Sequence, residues 1–381
     1  MSKKTDEQKK NIVVVGGGYA GIHVVQYLTK QLDHAKYNLI LLSPRPYYLH
    51  LIAALRMLVS AEGKLEERAL VPFDRLQGVT YVQGSLKEIE ETAPGKGGSL
   101  HLANGDTLPY AVLVLATGSK WPGILDFPES EEGVTEHVAL WRRRFAQAAG
   151  KHIVIAGGGA VGIELAGEIL DAYPSTKVTI VHSGTRLLND VYPDKFRKAM
   201  EDKVRGRGVE LLDQDYVDVF PAPADPLVPA DVPTRAGKTL KDVALVVPAF
   251  GARPNAAVAH TLGAGVLTDA GFVKVQPTLE VPGHPGVFAA GDILDWAEQK
   301  QAGKAMGHAS VVTANVLAFL AGRPQKKLYK NPIEMIIVPV GRTIGGGYVD
   351  ILWGITVGNW LSSIIKGKDL LIGMARGKLN Y

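Results

Sequence analysis

Apolar and polar residues alternate in blocks along this chain, and several of the apolar blocks end in glycine. Ile12–Gly21 reads IVVVGGGYAG, and Ile153–Gly162 reads IVIAGGGAVG. An apolar run that passes into closely spaced glycines predicts a buried strand followed by a tight turn. The apolar spacing after the first turn predicts a helix through about Lys30, and the segment Tyr37–Leu42 predicts a second strand.

Three later apolar segments predict further buried strands: Ala111–Gly118 (AVLVLATG), Leu245–Gly251 (LVVPAFG) and Val287–Asp292 (VFAAGD). Glu136–Gly150 and the apolar stretch Ala309–Leu320 predict helices instead.

Two regions depart from this regular pattern. Phe220–Lys241 contains five prolines, which exclude a helix or a central strand and predict an extended surface loop or hairpin. From about Lys326 the pattern indicates a separate unit of strands and loops, followed by an apolar run over Tyr348–Ile365.

Both glycine-rich turns carry the spacing G-x-G-x-x-G. In a strand–turn–helix context, this spacing lets backbone N–H groups and a helix N-terminus contact a pyrophosphate. The glycines are Gly16, Gly18 and Gly21 in the first turn and Gly157, Gly159 and Gly162 in the second. One copy is weak evidence, but two copies on one chain predict two bound dinucleotides. The commonest use of such a pair is electron transfer from a nicotinamide to a flavin.

The composition excludes several kinds of redox and binding site, mainly because the chain has no cysteine and little net charge. The 381 residues are 46% hydrophobic and 21% charged, as in an ordinary globular protein, and the net charge of +4 is too small to indicate nucleic-acid binding. The chain has no cysteine, which excludes a CxxC redox pair, a cysteine-ligated iron–sulfur cluster and thiolate metal sites. A flavin bound here must therefore pass its electrons directly to an outside acceptor.

The first ten residues, MSKKTDEQKK, predict no targeting signal. They lack the apolar stretch of a signal peptide, they contain acids and no arginine, and residue 2 is serine where N-myristoylation needs glycine. No run of about 20 apolar residues predicts a transmembrane helix. We therefore expect a cytoplasmic protein.

The order of the motifs resembles that of two-dinucleotide flavin reductases. It runs G-x-G-x-x-G, A-T-G, G-x-G-x-x-G-x-E, G-x-R-P-N and G-D. Four segments are similar to those of one branch of these reductases. They are LIAALR at 51–56, VTIVHS at 178–183, the glycine-rich segment 341–347 and KGKDL at 366–370. That branch is the apoptosis-inducing-factor-like flavoproteins of the mitochondrion-associated inducer of death and ferroptosis suppressor type, including their fungal relatives. The resemblance covers nearly the whole chain, and type II NADH dehydrogenases are its nearest cousins.

The resemblance implies an α/β fold with two Rossmann-like dinucleotide-binding domains, as in glutathione-reductase-like flavoproteins, and a small α+β C-terminal domain. We expect the FAD-binding domain to be discontinuous, over residues 10–125 and 254–325. The NAD(P)H-binding domain should span residues 126–253. Residues 326–381 should form the C-terminal domain, with a surface for a membrane and quinone or for a dimer.

The residues predicted to hold FAD come from several parts of the chain. The glycines of the first turn should cradle its pyrophosphate. Ser43 stands where an acid usually binds the adenosine ribose, and Thr117 and Gly118 should pack where the chain passes the nucleotide. Asp292 is expected to bind the ribityl chain, although a lone Gly-Asp pair is more often a β-turn.

A second group of candidates concerns the flavin ring. Arg56 could contact the flavin or its phosphates, or it could be a solvated arginine on a surface helix. The segment Lys304–Ala305–Met–Gly–His308 precedes an apolar helix, whose N-terminus would stabilise the negative charge that develops when a flavin is reduced. His308 is thus a catalytic candidate, and the alternative is a plain residue at a helix start.

The second glycine turn should hold the nicotinamide dinucleotide. The resemblance implies that Glu164 lies near the nicotinamide and flavin rings, and the alternative is a carboxylate favourably placed in a first helical turn. Glu168 is expected to be structural. His182 and Ser183 stand where an NAD-specific enzyme carries an acid, and Arg186 is close enough to bind a 2′-phosphate. We therefore expect use of both NADH and NADPH.

The C-terminal unit combines apolar residues with a basic cluster, which suits an interfacial segment lying on a membrane. The alternative is a buried domain or dimer interface. The apolar residues are Leu352, Trp353, Ile355, Val357, Trp360, Leu361, Ile364 and Ile365, and the basic ones are Lys366, Lys368, Arg376 and Lys378. By resemblance, Lys366 is a catalytic candidate that reaches back to the active site.

Together these observations predict an FAD-dependent NAD(P)H:quinone oxidoreductase that acts on a lipophilic quinone at a membrane surface. The membrane could be that of a lipid droplet, the plasma membrane or the mitochondrial outer membrane. A homodimer and a modified flavin such as 6-hydroxy-FAD stay open. One alternative is a ferredoxin or rubredoxin reductase, and another is a redox-switched flavoprotein that binds a partner protein or DNA.

Overall fold

The computed structural model describes residues 9–330, 333–352, 354–363, 367 and 369–381. Over these residues the strands are β1 Lys10–Val15, β2 Tyr37–Ser43, β3 Tyr47–Leu49, β4 Leu70–Pro72, β5 Thr80–Gln83, β6 Leu86–Glu91, β7 Gly98–Leu102, β8 Thr107–Tyr110, β9 Val112–Leu115, β10 Ser119–Lys120, β11 His152–Ala156, β12 Lys177–Val181, β13 Glu210–Leu212, β14 Ala230–Pro233, β15 Thr239–Pro248, β16 Arg253–Pro254, β17 Val287–Ala289, β18 Met335–Pro339, β19 Gly345–Val349 and β20 Ile355–Val357. The α-helices are α1 Tyr19–Thr29, α2 Ala54–Val59, α3 Leu65–Ala69, α4 Glu131–Gln147, α5 Ala160–Ala172, α6 Asp194–Gly206, α7 Ala302–Leu320, α8 Asn359–Ser362 and α9 Ile372–Gly377.

The first large sheet is fully parallel, with strand order β17–β9–β1–β2–β5. Its strands are buried on both faces, which is why they read as continuous apolar runs. Residues 12–15 of β1 are almost inaccessible to solvent. Because β17 pairs with β9, the chain returns to this sheet after more than 150 intervening residues, and α1 packs against α7 on one face.

The second large sheet has the order β13–β12–β11–β15–β14, and all its pairs are parallel except β14 with β15. The antiparallel edge strand β14 lies inside the proline-rich region and forms a hairpin with β15. Pro233 ends β14 at the edge of the sheet, where a missing N–H does no harm.

Smaller antiparallel sheets complete the fold. β6, β7 and β8 form one, and β18, β19 and β20 form another in the C-terminal part of the chain. The C-terminal sheet packs on the second domain, with β18 against α5 and β19 against α6. Within the described part of the chain, no helix combines the length and apolar character needed to cross a bilayer.

Two helices begin earlier than their apolar patterns indicate. α4 starts at Glu131, where the side chain of Ser130 caps it by accepting a hydrogen bond from the N–H of Gly133. α7 starts at Ala302. In both cases the first helical turns are polar or rich in small residues, so they carry no apolar signal.

A buried ion pair connects the two dinucleotide-type domains. Nε and Nη2 of Arg56 on α2 each donate to one carboxylate oxygen of Glu168 on α5, both at 2.8 Å. Nη1 of Arg56 donates to the carbonyl of Gly367, also at 2.8 Å. The two side chains are only 6% exposed. Burial raises the pKa of Glu168, and the hydrogen bonds from Arg56 oppose that shift.

Replacing Arg56 should destabilise the fold strongly, because it leaves the Glu168 carboxylate buried without its partner. We expect Arg56→Ala to lower the free energy of unfolding by about 3–5 kcal/mol. Arg235→Ala is the control, since its partner Asp218 is more than half exposed and such a pair contributes about 0–1 kcal/mol. Guanidinium chloride unfolding of both variants measures the difference, and equal losses would contradict a special role for the buried pair.

Candidate active site

A cavity of about 1760 Å³ lies between the two large sheets. Ligand cavities usually have volumes of about 300–1000 Å³, so this one has room for more than one ligand. The ends of β1 and β9 in the first sheet and the turns after β11 and β12 in the second sheet line it. It therefore lies outside the carboxyl ends of the strands, where open α/β sheets bind nucleotides.

In the first glycine turn, the three glycines have different functions. Gly16 has φ +112°, and a Cβ there would lie 2.3 Å from the carbonyl oxygen of Ala116. A Cβ on Gly21 would lie 1.9 Å from the oxygen of Gly16, so these two glycines allow the turn and helix α1 to pack closely. Gly18 lines the cavity, and a Cβ there would meet no described atom within 4 Å. The open space beside Gly18 fits a pyrophosphate.

The second turn repeats this arrangement at α5. A Cβ on Gly157, where φ is +133°, would lie 2.4 Å from the oxygen of Ala249, and one on Gly162 would lie 2.0 Å from the oxygen of Gly157. Gly159 lines the cavity and faces open space. Both turns therefore present a second glycine and a helix N-terminus to the same cavity.

Of the other residues predicted to hold FAD, five line the cavity, whereas Arg56 and Lys304 do not. Ser43, Thr117, Gly118, Asp292 and Ala305 line it.

Two neighbours of these residues, Ser119 and Asn255, line the cavity with them. Ser119 donates to the carboxylate of Asp292 at 2.7 Å. Thr117 donates to the carbonyl of Asn255, and the N–H of Asn255 donates to the carbonyl of Gly118 at 2.8 Å. Ser119 directly follows the A-T-G motif, so the site extends one residue beyond that motif, whereas Asn255 is the last residue of the predicted G-x-R-P-N motif.

Arg45 also lines the cavity and was missed. It donates to the carbonyls of Phe127 and Pro128, at 2.6 and 3.0 Å, and burial lowers its pKa. The sequence signal for this residue was an arginine two positions after the end of β2, the strand at which an acid usually binds the adenosine ribose.

The structure places Arg56 away from the cavity, in the ion pair described above. Neither of the two predicted roles fits this position, because Arg56 lines no ligand space and is only 5% exposed. Its partner Glu168 lies on another domain, 112 positions away, and no local sequence pattern predicts such a contact.

His308 is buried behind the cavity wall rather than exposed to it. Its Nδ1 accepts a hydrogen bond from the N–H of Gly291 at 3.2 Å, and its Nε2 lies 2.9 Å from Oε1 of Glu298. Tyr329 donates to the other oxygen of Glu298 at 2.7 Å. Burial raises the pKa of Glu298, but the hydrogen bonds from His308 and Tyr329 outweigh it and hold that pKa below its ordinary value. His308 therefore positions the Gly291–Asp292 turn, and we correct its assignment as a catalytic group.

Lys304 also faces away from the cavity, and it pairs with Glu334. Glu334 further accepts hydrogen bonds from Tyr192 and Gln301, both at 3.1 Å. Tyr192 and Gln301 line the cavity, so this cluster joins the two dinucleotide-type domains to the C-terminal sheet.

The start of α7 at Ala302 explains the positions of Lys304 and His308. Residues three or four apart share a helix face, so Ala302 and Ala305 face the cavity while Lys304 and His308 face the interior.

On the second side of the cavity, Glu164 lines the wall from α5 and is half-buried. Lys366, the other catalytic candidate, lies outside the described residues, as do Trp353, Ile364, Ile365 and Lys368.

His182 and Ser183 follow β12 and line the cavity with Arg186. Burial lowers the pKa of His182, so its ring is neutral near pH 7.

The sequence predicts no carboxylate at the end of the second-ribose strand, but the structure places two near Arg186. Glu201 of α6 lies beside Arg186, with 3.1 Å between Nη1 of Arg186 and the nearer carboxylate oxygen. Asp194 is 3.7 Å from Nε of the same arginine. Both acids lie on α6, whereas an NAD-specific enzyme carries its acid at the end of the strand that corresponds to β12.

Comparison with known proteins identifies the family to which this chain belongs. The family model described as pyridine nucleotide-disulphide oxidoreductase matches residues 10–310. An FAD-dependent oxidoreductase of Flammulina velutipes is 46% identical over 84% of this chain and 98% of its own length. Apoptosis-inducing factor homolog B of Dictyostelium discoideum is 28% identical over 98% and 97%, and human ferroptosis suppressor protein 1 is 27% identical over 95% and 94%. The predicted resemblance is confirmed.

Solved structures share the fold at low identity. The sulfide:quinone oxidoreductase of Aquifex aeolicus has a TM-score of 0.75 at 17% identity, over 97% of this chain and 92% of its own. Putidaredoxin reductase in its complex with putidaredoxin has a TM-score of 0.66 at 22% identity, over 89% and 81%. The predicted two-dinucleotide flavoprotein fold is confirmed.

Substitution of Gly18 should separate flavin binding from folding. Gly18→Ala puts a methyl group where a pyrophosphate would lie but meets no described protein atom, so we expect FAD affinity to fall at least about tenfold with little change in stability. Gly16→Ala should also lower thermal stability, because of its positive φ and its 2.3 Å contact. Gly206→Ala, which also faces open space, is the control. Flavin content and melting temperature are the measurements, and normal FAD affinity in Gly18→Ala would contradict the assignment.

Proposed function

This chain belongs to the pyridine nucleotide-disulphide oxidoreductases, and we propose that it passes electrons from NADH or NADPH through FAD to a lipophilic quinone at a membrane surface. The observation that carries the proposal is that both glycine turns open into one cavity that also has an apolar wall from the C-terminal sheet. An FAD bound in the first turn would supply the two-electron chemistry between the nicotinamide and the acceptor.

The residues of the chain bind and orient the reactants in this proposal. The first turn, Asp292 and Ser119 hold the flavin nucleotide, and the second turn holds the coenzyme. The N-terminus of α7 adds positive potential to the cavity at Ala302 and Ala305, where negative charge is stabilised by backbone N–H groups. Glu164 lies on the coenzyme side of the wall and is the side chain that we propose acts near the reacting rings.

The acceptor is inferred from the chemistry of the remaining wall. The chain has no cysteine, so a protein disulphide cannot relay the electrons despite the name of the family. Met335, Ile336 and Ile337 supply an apolar surface, and Tyr192 and Gln301 supply polar groups beside it. A ring with carbonyl groups and an apolar tail suits such a wall, and the similarity to ferroptosis suppressor proteins supports a quinone.

Exposed apolar side chains in the C-terminal part support a membrane surface. Leu352 is 83% exposed, Trp360 75% and Ile355 41%, and these three residues lie within ten positions of one another. Arg376 follows on α9. Burial of large apolar side chains and about 1 kcal/mol from each nearby base would give a reversible attachment. We propose that the protein lies peripherally on a cytoplasmic membrane surface by this segment.

Steady-state oxidation of NADH and NADPH by the FAD-loaded protein, with a short-tailed ubiquinone, tests the function. We expect rapid quinone-dependent turnover both in air and without oxygen. Glu164→Gln should slow it at least about tenfold, which corresponds to about 1.4 kcal/mol of lost transition-state stabilisation. Glu136→Gln, an exposed acid on α4, is the matched control.

The alternatives predict different results in the same assay. If NADH reduces the flavin but quinone does not reoxidise it, the quinone proposal is wrong. Turnover restored by an added ferredoxin would then indicate a protein acceptor. A stable reduced complex with no turnover would indicate a redox switch.

Membrane attachment is tested with vesicles of phosphatidylcholine and phosphatidylserine. The double variant Leu352→Asn, Trp360→Ser should reduce co-sedimentation about tenfold, since burying one large apolar side chain contributes about 1.5–3 kcal/mol. Asparagine suits position 352, where φ is +49°. Val228→Ser removes an equally exposed apolar residue from another part of the surface and should change nothing. Unchanged binding of the double variant would refute this surface.

A further inference from the structure

Arg186 is held by a carboxylate from helix α6, Glu201. Its Nη1 lies 3.1 Å from Oε2 of Glu201, and its Nε lies 3.7 Å from Oδ1 of Asp194. The Glu201 side chain is only 14% exposed, whereas Asp194 is 74% exposed. Because a charge in water is screened much more than a buried one, Glu201 is the acid that dominates the potential at Arg186.

Glu201 also holds the backbone beside the proposed coenzyme ribose. Its Oε1 accepts a hydrogen bond from the N–H of Leu187 at 3.0 Å. Arg197, on the same helix, donates to the carbonyls of residues 186, 187 and 188 at 3.1–3.4 Å. The N–H of Leu188 in turn donates to the carbonyl of Gly158 in the second glycine turn, at 2.8 Å. Helix α6 therefore fixes both the course of this loop and the direction of its arginine.

Three other residues at this position, His182, Ser183 and Arg197, do not supply a spare positive charge, whereas the exposed Arg205 of α6 is a second cation that interacts with His182. Burial lowers the pKa of His182, and that ring is neutral near pH 7. Ser183 offers only a hydroxyl. The guanidinium of Arg197 is 10% exposed, and its three nitrogens donate to backbone carbonyls and to Asp194. A 2′-phosphate arriving here would meet Arg186 already neutralised by Glu201.

We propose that Glu201 is a specificity-determining residue of the coenzyme site, which makes the protein favour NADH over NADPH by holding Arg186. The inference rests on the proposed function, and it sharpens the expectation that both coenzymes are used. NADH needs only hydrogen-bonding groups at its 2′-hydroxyl. The 2′-phosphate of NADPH must draw Arg186 away from Glu201 and then remain near the Glu201 carboxylate, and like charges a few ångströms apart repel.

The test measures binding of NAD⁺ and NADP⁺ to the FAD-loaded protein by calorimetry, so that no electron acceptor is involved. Glu201→Gln removes the charge, and its amide oxygen can still accept from the N–H of Leu187. We expect it to tighten NADP⁺ binding about tenfold and to change NAD⁺ binding less than about twofold. The ratio of kcat/KM for NADPH over NADH should rise by the same factor.

Two further variants show whether the effect acts through Arg186. In the Glu201→Gln background, Arg186→Gln should abolish the gain for NADP⁺. Glu210→Gln removes an exposed acid on β13 of the same domain, where Lys177 is its partner, and should leave the ratio unchanged.

The outcomes separate this inference from the proposed function. Equal weakening of both coenzymes in Glu201→Gln would mean that Glu201 only supports the loop, and the inference would be wrong. It would also be wrong if the unmodified protein already bound NADP⁺ more tightly than NAD⁺. If neither coenzyme bound the unmodified protein, the inference and the proposed function would fail together. Selective tightening of NADP⁺ without quinone turnover would support the inference and refute the quinone.

Discussion

The ion pair between Arg56 and Glu168 sets the geometry on which the proposed chemistry depends. A hydride passes between two rings only when the reacting atoms approach to about 3–3.5 Å, so the two nucleotide-binding domains must keep a fixed relative orientation. Arg56 lies on α2 of one domain and Glu168 on α5 of the other, in the helix that begins at the second glycine turn. The planar guanidinium bonds the carboxylate at two points, which restricts rotation as well as distance.

Two less buried ion pairs also join segments that are far apart along the chain. Arg142 on α4 pairs with Glu66 on α3, and Arg342 near the C-terminal sheet pairs with Glu62. Their exposed oxygen and nitrogen atoms make them weaker individually. A hinge motion between the two dinucleotide-type domains would have to break both the buried pair and the pair of Arg142 with Glu66.

The parts of the site that the sequence could predict are those that depend on neighbours along the chain. The glycine turns are local: the constraints on Gly16 and Gly157 come from a positive φ and from the strand beside each turn. Lys304 and His308 were assigned to the wrong side because their orientation depends on where α7 begins. Arg56 and Glu201 could not be assigned correctly, since the partner of Arg56 is 112 positions away and Glu201 acts from the middle of helix α6, 15 residues after Arg186. Charge contacts between elements leave no periodic signal in the sequence.

Helix α6 links the coenzyme site to the C-terminal sheet. One face of it carries Arg197 and Glu201, which hold the loop that lines the cavity. Another face packs on β19, where the rings of Phe196 and Tyr348 are 5.8 Å apart. A Cβ on Gly346 would lie 2.7 Å from the sulfur of Met200, so the glycine at this position lets the helix approach the strand. Tyr192, just before α6, hydrogen-bonds Glu334 at the start of that sheet. The wall that would meet the acceptor is therefore positioned by the same helix that sets the charge at the coenzyme ribose, and a displacement of α6 would alter both.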